Sequence, residues 1–287
     1  MTTTKTGSPL ITSTDTHQRE SSDRPGAGPR ALPHVEVAPR VTFGRLVAVE
    51  FRKLVDTRTS LALDAIAVLG AVGVAVGITA LYRPFADIFG TGWAVPAAFI
   101  SFPITLLVPI AVVLLFTQEW GQRTMLTTFA VEPRRGRVLA AKGVVALVIS
   151  VLGWALSQGL SAVTTLVGTG VIDQAADWGF EPRMLLGQLG TFLLSSAMAA
   201  AFALVIMNSP AAIVMVMALP SVVQTIGMFG ETGQRIASWI DVATTSQVLT
   251  ADDPTTMGWV KLAAAVSLWI IVPGAIGVWR NLTREAK

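Results

Sequence analysis

The sequence contains no cysteine, and its only two histidines are His17 and His34. Disulfide bonds, thiol nucleophiles and zinc–thiolate sites are therefore excluded. Because both histidines lie in a polar N-terminal stretch, few of the usual ligands are left for a metal site elsewhere in the chain. We predict no bound metal and no catalytic residue.

Charged residues are also scarce, at 14% of the chain, whereas hydrophobic residues make up 52% and the mean hydropathy is +0.62. A soluble domain carries roughly a quarter charged residues. The deficit is concentrated in apolar runs of about 20 residues, the length that crosses about 30 Å of hydrocarbon as a helix. The composition predicts an all-α polytopic membrane protein.

Six such runs predict six transmembrane helices. The uncharged stretch from Met184 to Gly230 would be about 70 Å long as one helix. It must therefore fold back, and Asn208-Ser209-Pro210 is the turn signal. Together the spans fill a transmembrane domain over residues 60–280. The predicted spans are 61–81, 95–117, 143–169, 184–207, 210–228 and 262–279.

The segments that flank this domain are polar or amphipathic. Residues 1–39 are rich in Thr, Ser, Pro and Arg; we expect a disordered cytoplasmic tail without the hydrophobic core of a secretory signal. Residues 40–59 predict an amphipathic helix in the headgroup region, although a soluble helix packing on its own domain has the same pattern. The residues assigned to this interfacial helix are Arg45, Glu50, Phe51, Arg52 and Lys53.

The basic residues near the span ends predict the orientation of the chain. With a cytoplasmic N-terminus, most of the Arg and Lys residues fall on the inner side and the outer loops collect acids. This is the distribution that membrane insertion favours. We predict a multi-pass protein with both termini, including residues 281–287, in the cytoplasm.

The segment from Gln118 to Lys142, "QEWGQRTMLTTFAVEPRRGRVLAAK", lies between the second and third predicted spans. Gly121–Ala130 predicts a short helix that exposes Met125, Leu126 and Phe129 to the cytosol. Such apolar side chains fit a partner protein with a matching groove. Alternatively, the segment is a basic lip that only fixes the topology, and composition leaves both interpretations open.

This segment resembles the intracellular loop of ABC type-2 transporter permeases. In that family a glutamate, a glycine, a short helix, a proline and basic residues ending in "LAAK" connect the second and third spans. A second stretch, "VEFRKLVDTRTS" at Val49–Ser60, is similar to the Glu-x-x-Lys-Leu motif that precedes the first span. The resemblance covers residues 41–287. It implies an ATPase-coupling role for Glu119, Gly121, Arg123, Thr124, Met125, Leu126, Phe129, Pro133, Arg134, Arg135 and Arg137.

The resemblance implies the membrane subunit of a type V-like ABC exporter in a bacterial plasma membrane. Two six-span subunits, identical or related, would pair, and each would contact a separate ATPase subunit that binds ATP and magnesium. The expected partners are thus an ABC ATPase, a second permease and membrane lipids, without nucleic acid and without a cofactor in this chain. Residues 231–258 would form outer helices that dip into the membrane. Because the spans hold so few charges, we expect an amphipathic or hydrophobic cargo.

The chain itself lacks an energy source. A P-loop needs a Gly-Lys-Ser/Thr sequence, and no lysine here follows a glycine. The main alternative is an ion-coupled secondary transporter that uses Asp64, the only ionisable residue in the predicted spans; Asp64 is otherwise a boundary acid paired with Arg58. A membrane enzyme lacks support because the spans contain no His, Cys or paired carboxylates. A scaffold or sensor on the same fold stays open.

Small and polar residues within the spans predict helix contacts or a substrate path. Gly73 and Gly77 form a GxxxG pair, and Gly153, Ser157, Ser161 and Thr165 form a stripe that lets helices approach closely. An amide in hydrocarbon needs a hydrogen-bonding partner, so glutamines in the spans either line a path or bond across helices. The candidate path residues are Ser157, Gln158, Ser161 and Gln224.

Overall fold

The computed structural model describes residues 42–121, 134–179 and 181–283. The N-terminal tail, residues 122–133 of the predicted coupling segment and the last four residues lie outside the described part of the chain. Within the described residues the predicted all-α fold is confirmed, because every element of regular secondary structure there is a helix. The one strand-like contact is an isolated bridge between Gly92 and Asp177.

In the described part of the chain, six helices are long and apolar enough to cross a membrane, as predicted. A shorter helix, α1 (Phe43–Asp56), precedes them and corresponds to the predicted amphipathic segment. The six long helices are α2 (Arg58–Ala80), α4 (Ala94–Gly121), α5 (Arg135–Ile172), α6 (Pro182–Ile206), α7 (Ser209–Gly227) and α10 (Thr256–Thr283).

Three of the long helices, α4, α5 and α10, extend past the predicted spans. Helix α4 has 28 residues and α5 has 38, which corresponds to about 42 Å and 57 Å at 1.5 Å per residue. Both lengths exceed the roughly 30 Å of a hydrocarbon core. Helix α5 begins at Arg135 rather than at Gly143, so Lys142 lies inside the helix. Of the basic residues that were predicted to lead into the third span, Arg135 and Arg137 are therefore part of the helix, and Arg134 directly precedes it.

Among the described residues, three short α-helices connect the long ones at the end of the bundle that lies opposite α1. Helix α3 (Tyr82–Phe89) follows α2 and was not predicted; it ends at Gly90, whose φ of 78° is accessible to glycine. Helices α8 (Gly230–Ile240) and α9 (Val242–Ser246) occupy the segment predicted to form outer helices. Asp241 separates these two helices and caps α9 by accepting a hydrogen bond from the backbone N–H of Ala243.

The fold-back predicted between the fourth and fifth spans is confirmed. Helix α6 ends at Met207, whose left-handed conformation (φ 54°) stops the helix. The Asn208 side chain then caps α7 by accepting a hydrogen bond from Ala211 N–H. The hydroxyls of Ser209 and Thr117 lie 2.7 Å apart, so this turn lies beside the end of α4.

Helix α10 changes its winding near the middle. Residues Ser267–Ile271 form a turn of π-helix between two α-helical halves. Within this turn the Trp269 indole N–H donates a 2.7 Å hydrogen bond to the carbonyl of Ile240. The wider turn thus directs a tryptophan of the last membrane-spanning helix towards the end of α8.

The GxxxG pair and the small-residue stripe of the sequence differ in how they pack in the structure. A Cβ atom built on Gly73 or Gly77 would meet nothing within 4 Å, so no described helix packs on this GxxxG pair. The predicted α5 stripe does face other helices, because its members Ser157, Ser161 and Thr165 are fully buried. Close packing between helices therefore uses the stripe and not the GxxxG pair.

Candidate functional site

The four long side chains of Glu50, Lys53, Glu119 and Lys142 form a cluster of alternating charge, which we call the α1-end cluster. Glu50 and Lys53 share a face of α1 because residues three apart on a helix are neighbours. Glu119 lies in the last turn of α4, and Lys142 lies two turns into α5. One cluster therefore joins α1 to both helices that border residues 122–133.

Each charged group in the cluster contacts an opposite charge. The Lys53 ammonium is 2.6 Å from a carboxylate oxygen of Glu50 and 2.6 Å from one of Glu119. The Lys142 ammonium is 2.7 Å from the other oxygen of Glu50 and 3.6 Å from Glu119. Lys142 also donates a 2.8 Å hydrogen bond to the carbonyl of Leu115 on α4. Two ammonium groups and two carboxylates give the cluster no net charge.

Three of the four side chains are almost completely removed from solvent. The exposed fractions are 2% for Lys142, 4% for Glu50 and 7% for Glu119, against 31% for Lys53. An unpaired charge at such a depth would be strongly unfavourable, whereas paired charges with good geometry are tolerated. The cluster is stable only when all three helices are in place.

The surroundings of Lys53 change its protonation equilibrium. Burial alone would lower the pKa of Lys53, but the hydrogen bonds and negative charges of Glu119 and Glu50 together outweigh it. The pKa of Lys53 is therefore raised above its ordinary value of 10.5. Lys53 carries a full positive charge at neutral pH and contributes to the charge balance of the cluster.

The structure brings together three of the residues predicted for coupling or for the interfacial helix: Glu50, Lys53 and Glu119. The other residues assigned to α1 lie elsewhere on the helix. Arg45, Phe51 and Arg52 are exposed, and Arg52 pairs with Asp56 at 3.0 Å in an exposed salt bridge. The predicted interfacial helix thus carries a buried ionic face in addition to its exposed face.

The remaining coupling residues divide between described and undescribed parts of the chain. Gly121 is the last residue of α4, Arg134 precedes α5, and Arg135 and Arg137 lie in its first turn. A guanidinium nitrogen of Arg135 donates a 3.1 Å hydrogen bond to the carbonyl of Asn281. The predicted residues outside the described part of the chain are Arg123, Thr124, Met125, Leu126, Phe129 and Pro133.

Lys142 is the functional candidate that sequence reasoning did not single out. It entered only as the last letter of the "LAAK" motif, immediately before the predicted start of the third span. A lysine beside an apolar run, with acids near the ends of neighbouring helices, was the available signal. Its partner Glu50 is 92 residues away in sequence, so no local pattern could pair them.

Three of the candidate path residues lie on α5 and form hydrogen bonds there, among them a 3.4 Å bond from the Gln158 amide nitrogen to the Ser157 hydroxyl. The amide nitrogen of Gln158 donates a 2.9 Å hydrogen bond to Gln188, which joins α5 to α6. Ser161 donates a 2.6 Å hydrogen bond to the carbonyl of Trp93, and Ser157 bonds the carbonyl of Trp154 within its own helix. These hydrogen bonds lie between and within helices, and the substrate path stays a prediction.

Two polar residues in the membrane-spanning helices stand apart from these contacts. Gln224 lies exposed on α7 and shares no hydrogen bond with the other candidate path residues. Asp64 is partly buried on α2. Within the described residues, Asp64 forms no ion pair with Arg58.

No protein-family model matches the chain, and no curated protein matches it in sequence. What is established is the helical fold with six helices suited to a membrane.

Proposed function

We propose that this chain is the membrane-embedded permease subunit of an ABC exporter. It would work as a dimer, with ATP and magnesium bound by a separate cytosolic ATPase subunit. The supporting observation is the α1-end cluster, because it ties α1 to the last turn of α4 and to the second turn of α5. These two helices border residues 122–133, which the resemblance assigns to the ATPase contact.

A rigid connection at this point is what mechanical coupling requires. A force applied to a linker reaches the membrane helices only if the helix ends that hold the linker do not yield. Here the end of α4 and the start of α5 are joined by Lys142, which contacts both Glu119 and the Leu115 carbonyl. Movement of residues 122–133 would thus be passed to both helices and to α1 as one unit.

The proposed role places the cluster in the cytoplasm, at the membrane surface. The carboxylates of the cluster are shared by two lysines at 2.6–2.7 Å, so none of them is left to carry a proton through the bilayer. An amphipathic or hydrophobic cargo fits helices that contain a single carboxylate, Asp64, in their apolar part. The chain itself performs no hydrolysis under this proposal.

Purification with a P-loop ATPase tests the proposal directly. When a P-loop ATPase from a neighbouring reading frame is co-expressed with this chain, we expect the two to copurify in detergent and the ATPase rate to change on complex formation. Replacing Phe129 or Met125 by glutamate should abolish copurification, because a charge cannot enter an apolar groove. Phe129→Leu, which keeps the apolar surface, serves as the matched control and should copurify.

Membrane insertion of the glutamate variants should be unchanged, which separates lost coupling from misfolding. Copurification and ATP-dependent export that survive both Phe129→Glu and Met125→Glu would contradict the assigned contact. Absence of any ATPase in complexes of the unmodified chain would contradict the permease proposal itself.

The second candidate is an ion-coupled carrier, and the environment of Asp64 favours it. This carboxyl lies partly buried in an apolar helix without an ion pair to Arg58, as a proton-binding group would. This alternative predicts transport that depends on the proton gradient, is lost in Asp64→Asn and needs no ATPase. The permease proposal predicts the opposite for all three measurements.

A further inference from the structure

A small cavity lies between α6, α7, α10 and the junction of α8 with α9. Its volume is about 110 Å³, somewhat below the roughly 150 Å³ of a cavity that admits benzene. Much of its wall is apolar, with contributions from Met198, Leu219 and Val223. Among the described residues that line it, Asp241 alone is charged. The cavity thus has room for a small organic group beside this carboxylate.

The carboxylate of Asp241 is buried without an opposite charge. Asp241 is 6% exposed, and no basic group in the described part of the chain forms an ion pair with it. Its two oxygens accept one hydrogen bond each, from the Ala243 N–H at 3.0 Å and from the Thr244 hydroxyl at 2.5 Å. Both donors are uncharged, and a carboxylate has about four acceptor sites. Because a buried charge is costly unless it is paired, this group is complementary to a cation.

The basic residues near this end of the surrounding helices do not supply that cation. Lys261 on α10 donates a 3.2 Å hydrogen bond to the Ser238 hydroxyl and lies over the ring of Trp239. Arg183 on α6 donates a 2.9 Å hydrogen bond to a carbonyl in the loop before α10, and Arg235 on α8 is exposed. None of these three basic side chains lines the cavity. The positive charge that Asp241 lacks is thus expected from a ligand.

The other polar side chains of the cavity also leave acceptors for a ligand. The hydroxyls of Thr191 and Ser246 donate to carbonyls within their own helices, at 3.1 Å and 2.9 Å, so that only their lone pairs remain. The indole N–H of Trp269 is used by the carbonyl of Ile240. The Ser195 hydroxyl also lines the cavity and has no hydrogen bond to another described residue. A ligand that donates hydrogen bonds fits this lining, and an anion does not.

We propose that this cavity binds a small organic ammonium ion with a short apolar substituent. The ammonium group contacts the Asp241 carboxylate and the Ser195 hydroxyl, and the substituent packs against the apolar wall. The ring of Trp269 lines the same cavity and adds attraction for a cation. A calcium ion would instead need six to eight oxygen ligands. The inference that the cargo is a cationic amphiphile rests on the proposed permease function, whereas the binding site does not.

Equilibrium dialysis of the purified full chain in a nonionic detergent tests the site. Radiolabelled n-butylammonium is the probe, and unlabelled n-butylammonium, n-butanol and sodium chloride are the competitors. Butanol has the same chain without the charge, and sodium has the charge without the chain. We expect n-butylammonium to displace the label at concentrations at which the other two do not. Equal displacement by butanol would reveal a merely apolar cavity, and equal displacement by sodium an inorganic cation site; either result would overturn the proposal.

Asp241→Asn should weaken the binding of n-butylammonium at least about thirtyfold, because a buried charge pair that loses one partner loses about 2 kcal/mol or more. Asparagine caps helices as well as aspartate does, so the variant should keep α9. The matched control is Asp252→Asn, which removes an exposed carboxylate from the loop before α10 and should bind like the parent. Unchanged binding in Asp241→Asn would mean that Asp241 only caps α9, and the proposal would be wrong.

Two further variants separate this site from folding defects and from the ATPase contact. Ser195→Leu keeps the carboxylate but fills the cavity, so it should abolish binding; binding that survives it would place the probe elsewhere and overturn the proposal even where Asp241→Asn does not fold. Phe129→Glu should bind n-butylammonium like the parent, although it should not copurify with the ATPase. Loss of the ammonium site and loss of the ATPase contact are therefore distinguishable.

Discussion

At the scale of single residues, Lys142 shows how a charge is held inside an apolar bundle. Its side chain is 2% exposed, yet its ammonium lies 2.7 Å from Glu50 and 2.8 Å from the Leu115 carbonyl. Removing one partner of a buried ion pair leaves the other charge unpaired and costs far more than the pair contributes. The stability of the α1 end should therefore depend strongly on this lysine.

We expect Lys142→Met to lower the free energy of unfolding by about 3–5 kcal/mol, because the buried carboxylates of Glu50 and Glu119 then lose the positive charge of Lys142. Unfolding in detergent micelles measures this loss. The double variant Lys142→Met with Glu50→Gln should recover part of it.

The matched control for Lys142→Met is Arg52→Met. It breaks the exposed pair with Asp56, which contributes at most about 1 kcal/mol. Equal losses in Arg52→Met and Lys142→Met would show that burial of the cluster has no energetic effect.

The raised pKa of Lys53 makes a prediction at alkaline pH. A group whose pKa is raised by folding stabilises the protein fully below its ordinary pKa, here 10.5, and this contribution disappears as the pH rises through the folded value. We expect stability to fall above pH 10.5 in the unmodified chain. In Lys53→Arg it should fall less, because arginine stays charged there. Thermal unfolding at pH 9 and at pH 11 compares the two, and identical losses would contradict the assignment to Lys53.

At the scale of elements, helix α3 packs against α5 through a glycine. A Cβ atom built on Gly168 would lie 2.1 Å from a ring carbon of Tyr82. The ring thus fills the space that any other side chain at this position would occupy. Tyr82 is 1% exposed, so it cannot move aside into solvent.

Gly168→Ala should therefore destabilise the protein by about 1–3 kcal/mol, the usual cost of overpacking. Gly170→Ala is the matched control two residues away, where an added Cβ meets nothing within 4 Å. It should be neutral or slightly stabilising, because alanine favours a helix more than glycine does. Thermal unfolding of the two variants should differ in sign, and a Gly168→Ala protein as stable as the parent would contradict this packing.

Long apolar elements could be predicted from the sequence, and elements defined by contacts could not. Runs of about 20 apolar residues have one stable form in a bilayer, so all six spans were found. Helix α3 was missed because "YRPFADIF" is short and contains Arg83 and Asp87. Its helical form depends on the packing of Tyr82 on Gly168 and of Phe85 against Phe89 and Phe99.

The candidate site could be predicted only in part, because it too is defined by contacts between residues that are distant in sequence. Glu50, Lys53 and Glu119 were identified through motif resemblance, but their meeting point was not. Lys142 pairs with Glu50 across 92 residues, and such a contact leaves no period or spacing in the sequence. Because Lys142 was placed at the boundary of the third predicted span, the start of α5 two turns earlier was not predicted.

At the scale of the whole molecule, the helices alternate in direction. The α1-end cluster, the hydrogen bond from Arg135 to Asn281 and the Thr117–Ser209 contact all lie at one end of the bundle. Helix α1 and the end of α10 thus share a side of the membrane. The charge distribution predicts that this side is the cytoplasm.

The natural absence of cysteine allows this orientation to be tested without background. A single cysteine at Thr127 should react with a membrane-impermeant maleimide only after the cells are permeabilised. A single cysteine at Asp253, in the exposed loop before α10, should react in intact cells. The reverse pattern would invert the topology and exclude the proposed contact with a cytosolic ATPase.

The π-helical turn at Ser267–Ile271 limits how the length of the last helix can change. A π-turn accommodates an extra residue within a helix without interrupting it. Losing one residue here would restore regular winding and leave Arg280 and Asn281 facing the end of α6. A deletion anywhere else in α10 would rotate that end by about 100° and pull both residues away. Natural variation in the length of this helix should thus be confined to the π-helical turn at Ser267–Ile271. A homologue that lacks one residue there should also lack the hydrogen bond from Trp269 to the carbonyl of Ile240.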